Sequence, residues 1–252
     1  IVLPEGLLAL FKEEEVVRAY PWCQFRMIDG RPAWTWKFGQ SSGVRGQPDE
    51  TKARFEKKMT EIGFKSVESP DQKLPMAFRR EIEGCEEQVR MGIPGLFPFA
   101  QSPTVGVELE WSVRSAAKQA TPTLSEVFEA MPTLQPPKRG GQLIPEAALA
   151  IFLPERVTSV ALNGPGTTWY SLDLDLPKSA EGGRPEWFAR LEETLKKEEF
   201  PPTGVPLGRN EEAPILDLTK RKARSTANCH IRVFERAEVF HVAMFVQTGE
   251  EH

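Results

Sequence analysis

Two histidines and an arginine lie close together near the C-terminal end of this 252-residue sequence. His230 and Arg232 belong to one run of alternating polar and apolar residues, and His241 belongs to the next. Histidine exchanges protons near neutral pH, and arginine binds phosphate and carboxylate groups. His230, His241 and Arg232 are therefore candidate catalytic residues for acid–base chemistry on a small molecule or a phosphate ester.

The two alternating runs predict a β-hairpin whose loop is Arg236-Ala237. In that register Val233 pairs with Phe240 and Arg232 lies opposite His241. The predicted apolar face carries Cys229, Ile231, Val233, Phe240, Val242 and Met244. The other face carries His230, Arg232, Phe234, His241, Ala243 and Phe245. A cysteine on the apolar face predicts an inert thiol at Cys229.

A pair of carboxylates in an upstream strand could join this set. Asp173 and Asp175 share one face of the predicted strand, because Leu172, Leu174 and Leu176 take the other face. If that strand adjoins the hairpin, the carboxylates, imidazoles and guanidinium converge, and Asp173 and Asp175 are candidate metal ligands. The alternative is that all five residues are ordinary polar groups on a solvated sheet face. No motif predicts a cofactor.

The densest basic run lies between two predicted strands and provides the candidate nucleic-acid-binding residues Lys220, Arg221, Lys222 and Arg224. Cations beside the aromatic side chains of Phe234 and Phe245 are typical of single-stranded RNA binding. The alternative is a solvated connection between strands, because the net charge of −4 provides no global attraction to nucleic acid.

Aromatic residues are concentrated in the first hundred positions. The candidate interface residues are Trp22, Trp34, Trp36, Phe97 and Phe99. More aromatic side chains occur here than one face of a small sheet accommodates, and an aromatic surplus is typical of protein–protein interfaces. The alternative is a large aromatic core.

Composition and cysteine usage indicate the class of protein and its compartment. Three widely spaced cysteines, Cys23, Cys85 and Cys229, form neither a disulfide framework nor a metal-binding knuckle, which favours a reducing intracellular compartment. No apolar run is long enough to predict a membrane span. The sequence begins at Ile1, so we expect a removed leader or a trimmed start; a processed N-terminus favours the mitochondrial matrix.

Hydrophobic patterning and turn residues predict the elements that would position these residues. In the N-terminal part we expect a helix over residues 4–19, a hairpin over 22–38 turning at Asp29-Gly30, and a helix over 49–62 ended by Gly63. Strands are expected near 64–67, 76–82 and 104–114, and a loop over 92–99. Thr123 and Glu126 predict a capping box that opens a short helix.

The C-terminal part reads as an apolar segment at 147–153, strands at 157–162 and 167–176, a helix at 186–197 and strands near 215–219, 228–235 and 239–247. Residues 135–142 combine proline and glycine pairs and predict a linker between parts 1–134 and 143–252, with one continuous domain as the alternative. The predicted fold is α+β, with mostly antiparallel sheets, three to four amphipathic helices and long Pro/Gly-rich loops.

These features favour a non-catalytic structural or accessory subunit of a larger multiprotein assembly, organellar in location, whose partners are other protein subunits. The first alternative is a phosphoester-processing or other small-molecule enzyme that uses His230, Arg232 and His241 with Asp173 and Asp175. The second is an RNA-binding protein.

Overall fold

The structure is a computed structural model that describes residues 16–18, 21–38, 43–70, 72–97, 104–131, 146–163, 169–179, 183–201, 213–221 and 228–247. These residues form an α+β fold dominated by antiparallel strands, as the sequence predicts. The chain divides into two compact units. One comprises Ile1–Cys23 and Ile28–Gln119, and the other comprises Gln24–Met27 and Ala120–His252.

The first unit contains eight described strands and one described helix. The strands are β1 Val16–Arg18, β2 Pro21–Ile28, β3 Arg31–Phe38, β4 Gly43–Arg45, β5 Lys65–Val67, β6 Met76–Ile82, β7 Cys85–Phe97 and β8 Thr104–Ser115, and the helix is α1 Pro48–Glu61. The strand order is β3-β8-β7-β6-β5, and β4 pairs with both β8 and β1. Residues Gln24–Met27 of β2 belong to the second unit.

Two tight turns organise the hairpins of this unit. Asp29 and Gly30, with φ of 52° and 73°, join β2 to β3 as predicted. Glu83 and Gly84, with φ of 48° and 74°, join β6 to β7 in the same way. Positive φ at both positions defines the type I′ turn, whose twist matches that of the strands it joins. The Glu83-Gly84 turn was not anticipated from the sequence.

The prediction of a loop over 92–99 is wrong for residues 92–97, which continue β7. The pairing of β7 with β8 is interrupted between Gly92 and Gly95, and Pro94 lies inside that irregularity. A bulge tolerates proline because the missing N–H would not have paired there. Gly92 is required by close packing, since a Cβ at this position would lie 2.3 Å from the carbonyl oxygen of Lys73.

The core of the first unit lies between α1 and the inner sheet face. Phe55 and Met59 of α1 are fully buried, and so are the inward residues of β8, which include Trp111. Trp36 stacks on Trp111 with ring centroids 4.3 Å apart. The predicted helix over 49–62, its terminal Gly63 at φ 86°, and the strand over 104–114 are confirmed.

The second unit contains three described helices and five strands of its own. The helices are α2 Leu124–Ala130, α3 Glu146–Phe152 and α4 Glu186–Lys197, and the strands are β9 Ser159–Asn163, β10 Trp169–Pro177, β11 Leu216–Arg221, β12 Asn228–Glu235 and β13 Val239–Gln247. The order is β11-β12-β13-β10-β9, with every neighbouring pair antiparallel. Gln24–Met27 flank β9, where the Met27 N–H donates to the Thr158 carbonyl at 2.8 Å.

One face of this sheet is covered by helices. Trp187 of α4 contacts Phe152 of α3 and Phe240 of β13, with ring centroids 5.4 and 5.6 Å apart. Leu172, Leu174 and the other inward residues of the central strands are buried there. The predicted capping box is present: the Glu126 N–H donates to Thr123 Oγ1, and the Thr123 N–H donates to the Glu126 carboxylate.

Several predictions fall partly or wholly outside the described residues. The predicted helix over 4–19 is wrong at Val16–Arg18, which form β1, and the rest of that range is not described. The predicted linker 135–142 also lies outside the described residues, so the boundary stays a prediction. In the part of the chain that the structure describes, no helix is long and apolar enough to cross a membrane.

Candidate functional site

The sheet face of the second unit that lies opposite the described helices carries the five predicted catalytic and metal-ligating residues. The predicted register of the last hairpin is wrong by two residues: Glu235 pairs with Phe240, and Ile231 pairs with Met244. Arg232 therefore lies opposite Ala243 instead of His241. The predicted faces are confirmed, because a shift of two residues leaves every side chain on the same side of a pleated strand.

Strand β10 adjoins β13, and this adjacency brings His241 to both aspartates. Asp175 lies opposite His241, and the His241 Nδ1 is 2.7 Å from the Asp175 Oδ1. A carboxylate oxygen is a hydrogen-bond acceptor, so this contact orients the imidazole with its Nδ1 toward Asp175. The His241 Nε2 lies 3.8 Å from the Asp173 Oδ1. The pairing of β10 with β13 therefore places His241 between the carboxylates of Asp173 and Asp175.

Asp173 is a half-buried carboxylate with neutral hydrogen-bond donors. The Ser171 hydroxyl and the Asn163 side-chain amide donate to its Oδ2 at 3.2 and 3.3 Å. Burial raises the pKa of Asp173, and the nearby His241 opposes that rise. Among the described residues, no lysine or arginine lies within salt-bridge distance of Asp173. The described residues therefore hold this partly buried carboxylate through neutral donors.

His230 and Arg232 share this face but lie apart from His241. His230 is opposite Phe245, about 14 Å along the strand from His241 at the usual rise of ~3.4 Å per residue. The His230 Nδ1 is 2.9 Å from the Thr219 hydroxyl, and the Arg232 Nε is 3.4 Å from the Asp217 carboxylate. The two imidazoles therefore do not meet at one reaction centre.

The predicted metal ligands are adjacent but do not complete a metal site. Among the described residues, no three or more His, Cys, Asp or Glu side chains are arranged to hold a metal ion. The Asp175 carboxylate is engaged with the His241 Nδ1. The described contacts among Asp173, Asp175 and His241 are a hydrogen bond and a longer charge interaction.

Two large aromatic side chains are exposed at one end of the same face. Trp169 and Phe245 are 42 % and 37 % exposed, and their rings stack with centroids 5.9 Å apart. The His230 ring meets Phe245 edge-on at 6.3 Å. Trp169, Ser171 and Asn163 were not predicted as site residues. Trp169 and Ser171 could have been found from alternation alone, because they share the strand parity of Asp173.

Within the predicted basic site the structure describes the side chain of Lys220, which lies on the helix-covered face of the sheet. Lys220 pairs in register with the buried Cys229, on the side opposite Phe245. Its Nζ lies 5.5 Å from the Phe200 ring centroid and 3.8 Å from the Glu198 carboxylate. Arg221 ends β11, while Lys222 and Arg224 lie outside the described residues. Lys220 therefore does not share a surface with the aromatic residues proposed to stack on bases.

The predicted interface aromatics of the first unit differ in how far they are exposed. Trp36 is 2 % exposed and belongs to the core, so it is not part of a surface. Trp22 is half-buried beneath the Lys37 ammonium at 4.8 Å, and Trp34 is half-buried in β3. Phe97 ends β7, and its side chain and all of Phe99 lie outside what the structure describes.

No protein family, no curated protein and no solved structure matches the chain.

Proposed function

We propose that this protein is a non-catalytic accessory subunit of a multiprotein assembly, and that it binds a protein partner through the sheet face of its second unit that lies opposite the described helices. The observation that carries the proposal is the exposed, stacked pair Trp169 and Phe245. Large aromatic side chains dominate the binding energy of interfaces when a partner removes them from water. A stacked pair is already ordered, so little side-chain entropy is lost on binding.

The rest of the face fits the composition of an interface. Phe234, His230 and His241 are half-buried, and the Phe234 and His241 rings lie 5.9 Å apart. Polar groups that already hydrogen-bond within the sheet surround these rings, as His230 does with Thr219. An aromatic centre within a satisfied polar surface is the arrangement expected of a partner-binding patch.

The experiment is purification of the tagged protein from its native source at native abundance, followed by identification and stoichiometry of the proteins that remain bound. We expect a stoichiometric complex with the unaltered chain. Trp169→Ala with Phe245→Ala should lose that complex, because truncation of buried interface aromatics commonly costs more than 2 kcal/mol.

The matched control is Ile82→Ala, which removes an apolar side chain that is 43 % exposed at the end of β6 in the first unit. This variant should retain the complex. Recovery of the unaltered protein as a monomer contradicts the proposal, and so does a complex that survives the double substitution.

The second candidate function is acid–base catalysis, which the 2.7 Å contact between His241 and Asp175 favours. A carboxylate on Nδ1 orients an imidazole so that Nε2 can exchange a proton with a substrate. The neighbouring Asp173 works against an anionic substrate, since it adds a second negative charge beside Nε2. Arg232, the predicted phosphate ligand, is instead paired with Asp217.

The assay for this candidate is hydrolysis of a chromogenic phosphodiester across pH 5 to 9. A catalytic His241 predicts a pH-dependent rate that His241→Asn lowers by at least about a hundredfold, within the range general acid–base catalysis supplies. An equal rate for the variant and the unaltered chain shows that His241 is not the catalytic acid or base of this hydrolysis.

A further inference from the structure

Two arginines of the first unit lie side by side near the turn that joins β2 to β3. Arg114 of β8 pairs in register with Ala33 of β3, and Arg31 lies two residues from Ala33 on the same strand. Residues two apart on a strand share a sheet face, so the two arginines are diagonal neighbours about 7 to 8 Å apart. This face is the one opposite the buried Trp111.

Lys118 adds a third cation beside the same turn. Its Cγ and Cδ lie 3.7 Å from the position that a Cβ at Gly30 would occupy. The Gln119 N–H donates to the Gly30 carbonyl at 2.8 Å, which holds the segment carrying the lysine against the turn. Lys118 is exposed. Arg31, Arg114 and Lys118 are called the basic corner below.

Carboxylates offset only part of the positive charge of the basic corner. The Asp29 carboxylate lies 3.2 Å from the Arg114 Nη2. Glu86, opposite Arg114 on β7, is engaged by Arg79 at 2.7 Å. Among the described residues, no carboxylate lies within salt-bridge distance of the other two cations of the corner. Its positive charge therefore exceeds the negative charge beside it.

Both arginines are partly desolvated. The Nε atoms of Arg31 and Arg114 are shielded from solvent, and neither has a hydrogen-bond partner among the described residues. A shielded donor of a cation without a partner costs free energy, and a nearby negative charge offsets that cost. The corner is still open to solvent, because the Arg114 side chain is 37 % exposed and Ile28, at the end of β2, is 40 % exposed.

We propose that the basic corner binds one dianionic phosphate monoester group. Arginine donates in a fork to phosphate oxygens, and the lysine ammonium adds a compact positive charge. A phosphate monoester carries nearly two negative charges at neutral pH and has three acceptor oxygens. The site belongs to the first unit and is independent of the proposed partner-binding face.

The rest of this sheet face favours a single phosphate group over a nucleic acid. Arg79 pairs with Glu86, and Lys37 and Arg90 both pair with Glu110. Nucleic acid binding uses a stripe of cations that follows successive phosphates. These neighbouring cations are already neutralised, so they do not extend the basic corner into such a stripe.

The test is a calorimetric titration of the full chain at low salt and pH 7.5 with N-acetyl-phosphoserine amide. N-acetyl-aspartate amide, which carries one negative charge, is the ligand control. We expect saturable binding of the phosphoserine compound and at least about tenfold weaker binding of the aspartate compound, because the dianion offers more charge and more acceptors.

Glycerol 3-phosphate is the second probe, and it distinguishes the sources of the phosphate. Tighter binding than that of the phosphoserine compound assigns the group to a small molecule. Weaker binding assigns it to a phosphorylated protein, and equal binding shows that the phosphate alone is recognised. Each of these results supports the site.

Matched variants separate the basic corner from general electrostatics. Arg31→Gln and Lys118→Gln should each weaken phosphoserine binding by about fivefold or more, since each removes a charged donor. Lys65→Gln removes one exposed cation from β5 of the same sheet and should weaken binding by less than about twofold. Thermal unfolding of each variant checks that it is folded.

Asp29→Asn is expected to improve binding, an effect that damage to the fold does not produce. Asn-Gly supports the same type I′ turn as Asp-Gly. The substitution removes the carboxylate that competes for Arg114, so the phosphoserine compound should bind at least about threefold more tightly.

The proposal is overturned if neither phosphate compound binds or if the aspartate compound binds as tightly. Unchanged affinity in both Arg31→Gln and Lys118→Gln overturns it as well, and so does an equal loss with Lys65→Gln. Asp29→Asn with unaltered or weaker affinity contradicts the assigned competition. Oligouridylate that binds more tightly than either phosphate compound replaces the proposal with a nucleic acid site.

Discussion

At the scale of single residues, Asp173 is the side chain whose ionisation opposes folding. Burial raises the pKa of its carboxyl, so the folded state binds that proton more tightly than the unfolded state does. The folded state is favoured by this difference when the carboxyl is protonated, and loses the advantage as pH rises through the raised pKa. At pH values above the raised pKa, the ionised Asp173 lowers the free energy of unfolding, because its side chain is only 27 % exposed.

Asp173→Asn is therefore expected to stabilise the protein at pH 7 and to have a smaller effect at pH 4, where the carboxyl is partly protonated in both states. The asparagine side-chain oxygen can still accept from Ser171 and Asn163. Thermal unfolding of both proteins at the two pH values measures the difference. A variant less stable than the unaltered chain at pH 7 contradicts the expectation.

Cys229 illustrates a residue whose chemistry is suppressed by its position. It is fully buried, and burial raises the pKa of its thiol to about 12, so the reactive thiolate is scarce at neutral pH. Cys85, at the start of β7, is half-buried.

We expect iodoacetamide to label Cys85 in the native protein while Cys229 remains unmodified until the chain is unfolded. Mass spectrometry of tryptic peptides after timed alkylation measures both rates. Labelling of Cys229 as fast as Cys85 in the native protein would show that the β12 position is open to solvent.

At the scale of elements, Arg80 links the end of α1 to the sheet. Arg80 of β6 donates to the carboxylate of Glu87 on β7 and to the Ile62 carbonyl at the helix end, and its guanidinium lies 4.5 Å from the Phe64 ring centroid. The Glu87 side chain is only 8 % exposed. Removing one partner leaves the other charge buried without compensation.

Arg80→Ala is expected to lower the free energy of unfolding by about 3 kcal/mol, within the range for breaking a buried pair from one side. Arg80→Met with Glu87→Leu should cost less than Arg80→Ala, since apolar side chains of similar size leave no buried charge. Urea unfolding of the three proteins measures the costs. An exposed pair, Lys57 and Glu61 on α1, is the control, and Lys57→Ala should change stability by less than about 0.5 kcal/mol.

At the scale of the whole molecule, the second unit is not a contiguous stretch of sequence. It takes residues Gln24–Met27 from β2, which lie beside β9 and bond to Thr158. A fragment beginning at Ala120 lacks this strand segment and leaves the β9 backbone edge unpaired.

A fragment of residues 120–252 is therefore expected to unfold at a lower temperature than a two-chain mixture that supplies residues 21–38 as a peptide. Circular dichroism melting curves with and without the peptide measure the effect. Identical melting curves would show that the β2 segment is not needed by the second unit. The peptide with Met27→Pro, which removes the N–H that bonds to Thr158, serves as the control and should not restore stability.

The sequence by itself determined many of the elements and the faces of the strands. Helix α4 and strands β12 and β13 have the bounds predicted from periodicity, and the buried positions of β8 follow from its alternation, because a pleat and a helical turn are local properties of the chain. Asp29-Gly30 and the Thr123–Glu126 capping box are equally local. Residues 92–97 were mispredicted because a bulge accommodates Pro94 only when a partner strand is present.

Only the tertiary structure decided which side chains meet. That β10 lies next to β13, and that Asp175 faces His241, depends on pairing between strands more than sixty residues apart. The predicted β12–β13 register was wrong by two residues. The predicted faces were right, but in the structure Arg232 does not lie opposite His241, and the two histidines are further apart than the predicted register places them. Alternation specifies the side of the sheet on which a residue lies. Position along a neighbouring strand depends on loop closure and packing energies summed over the whole sheet, so the candidate site could be named from the sequence but not assembled from it.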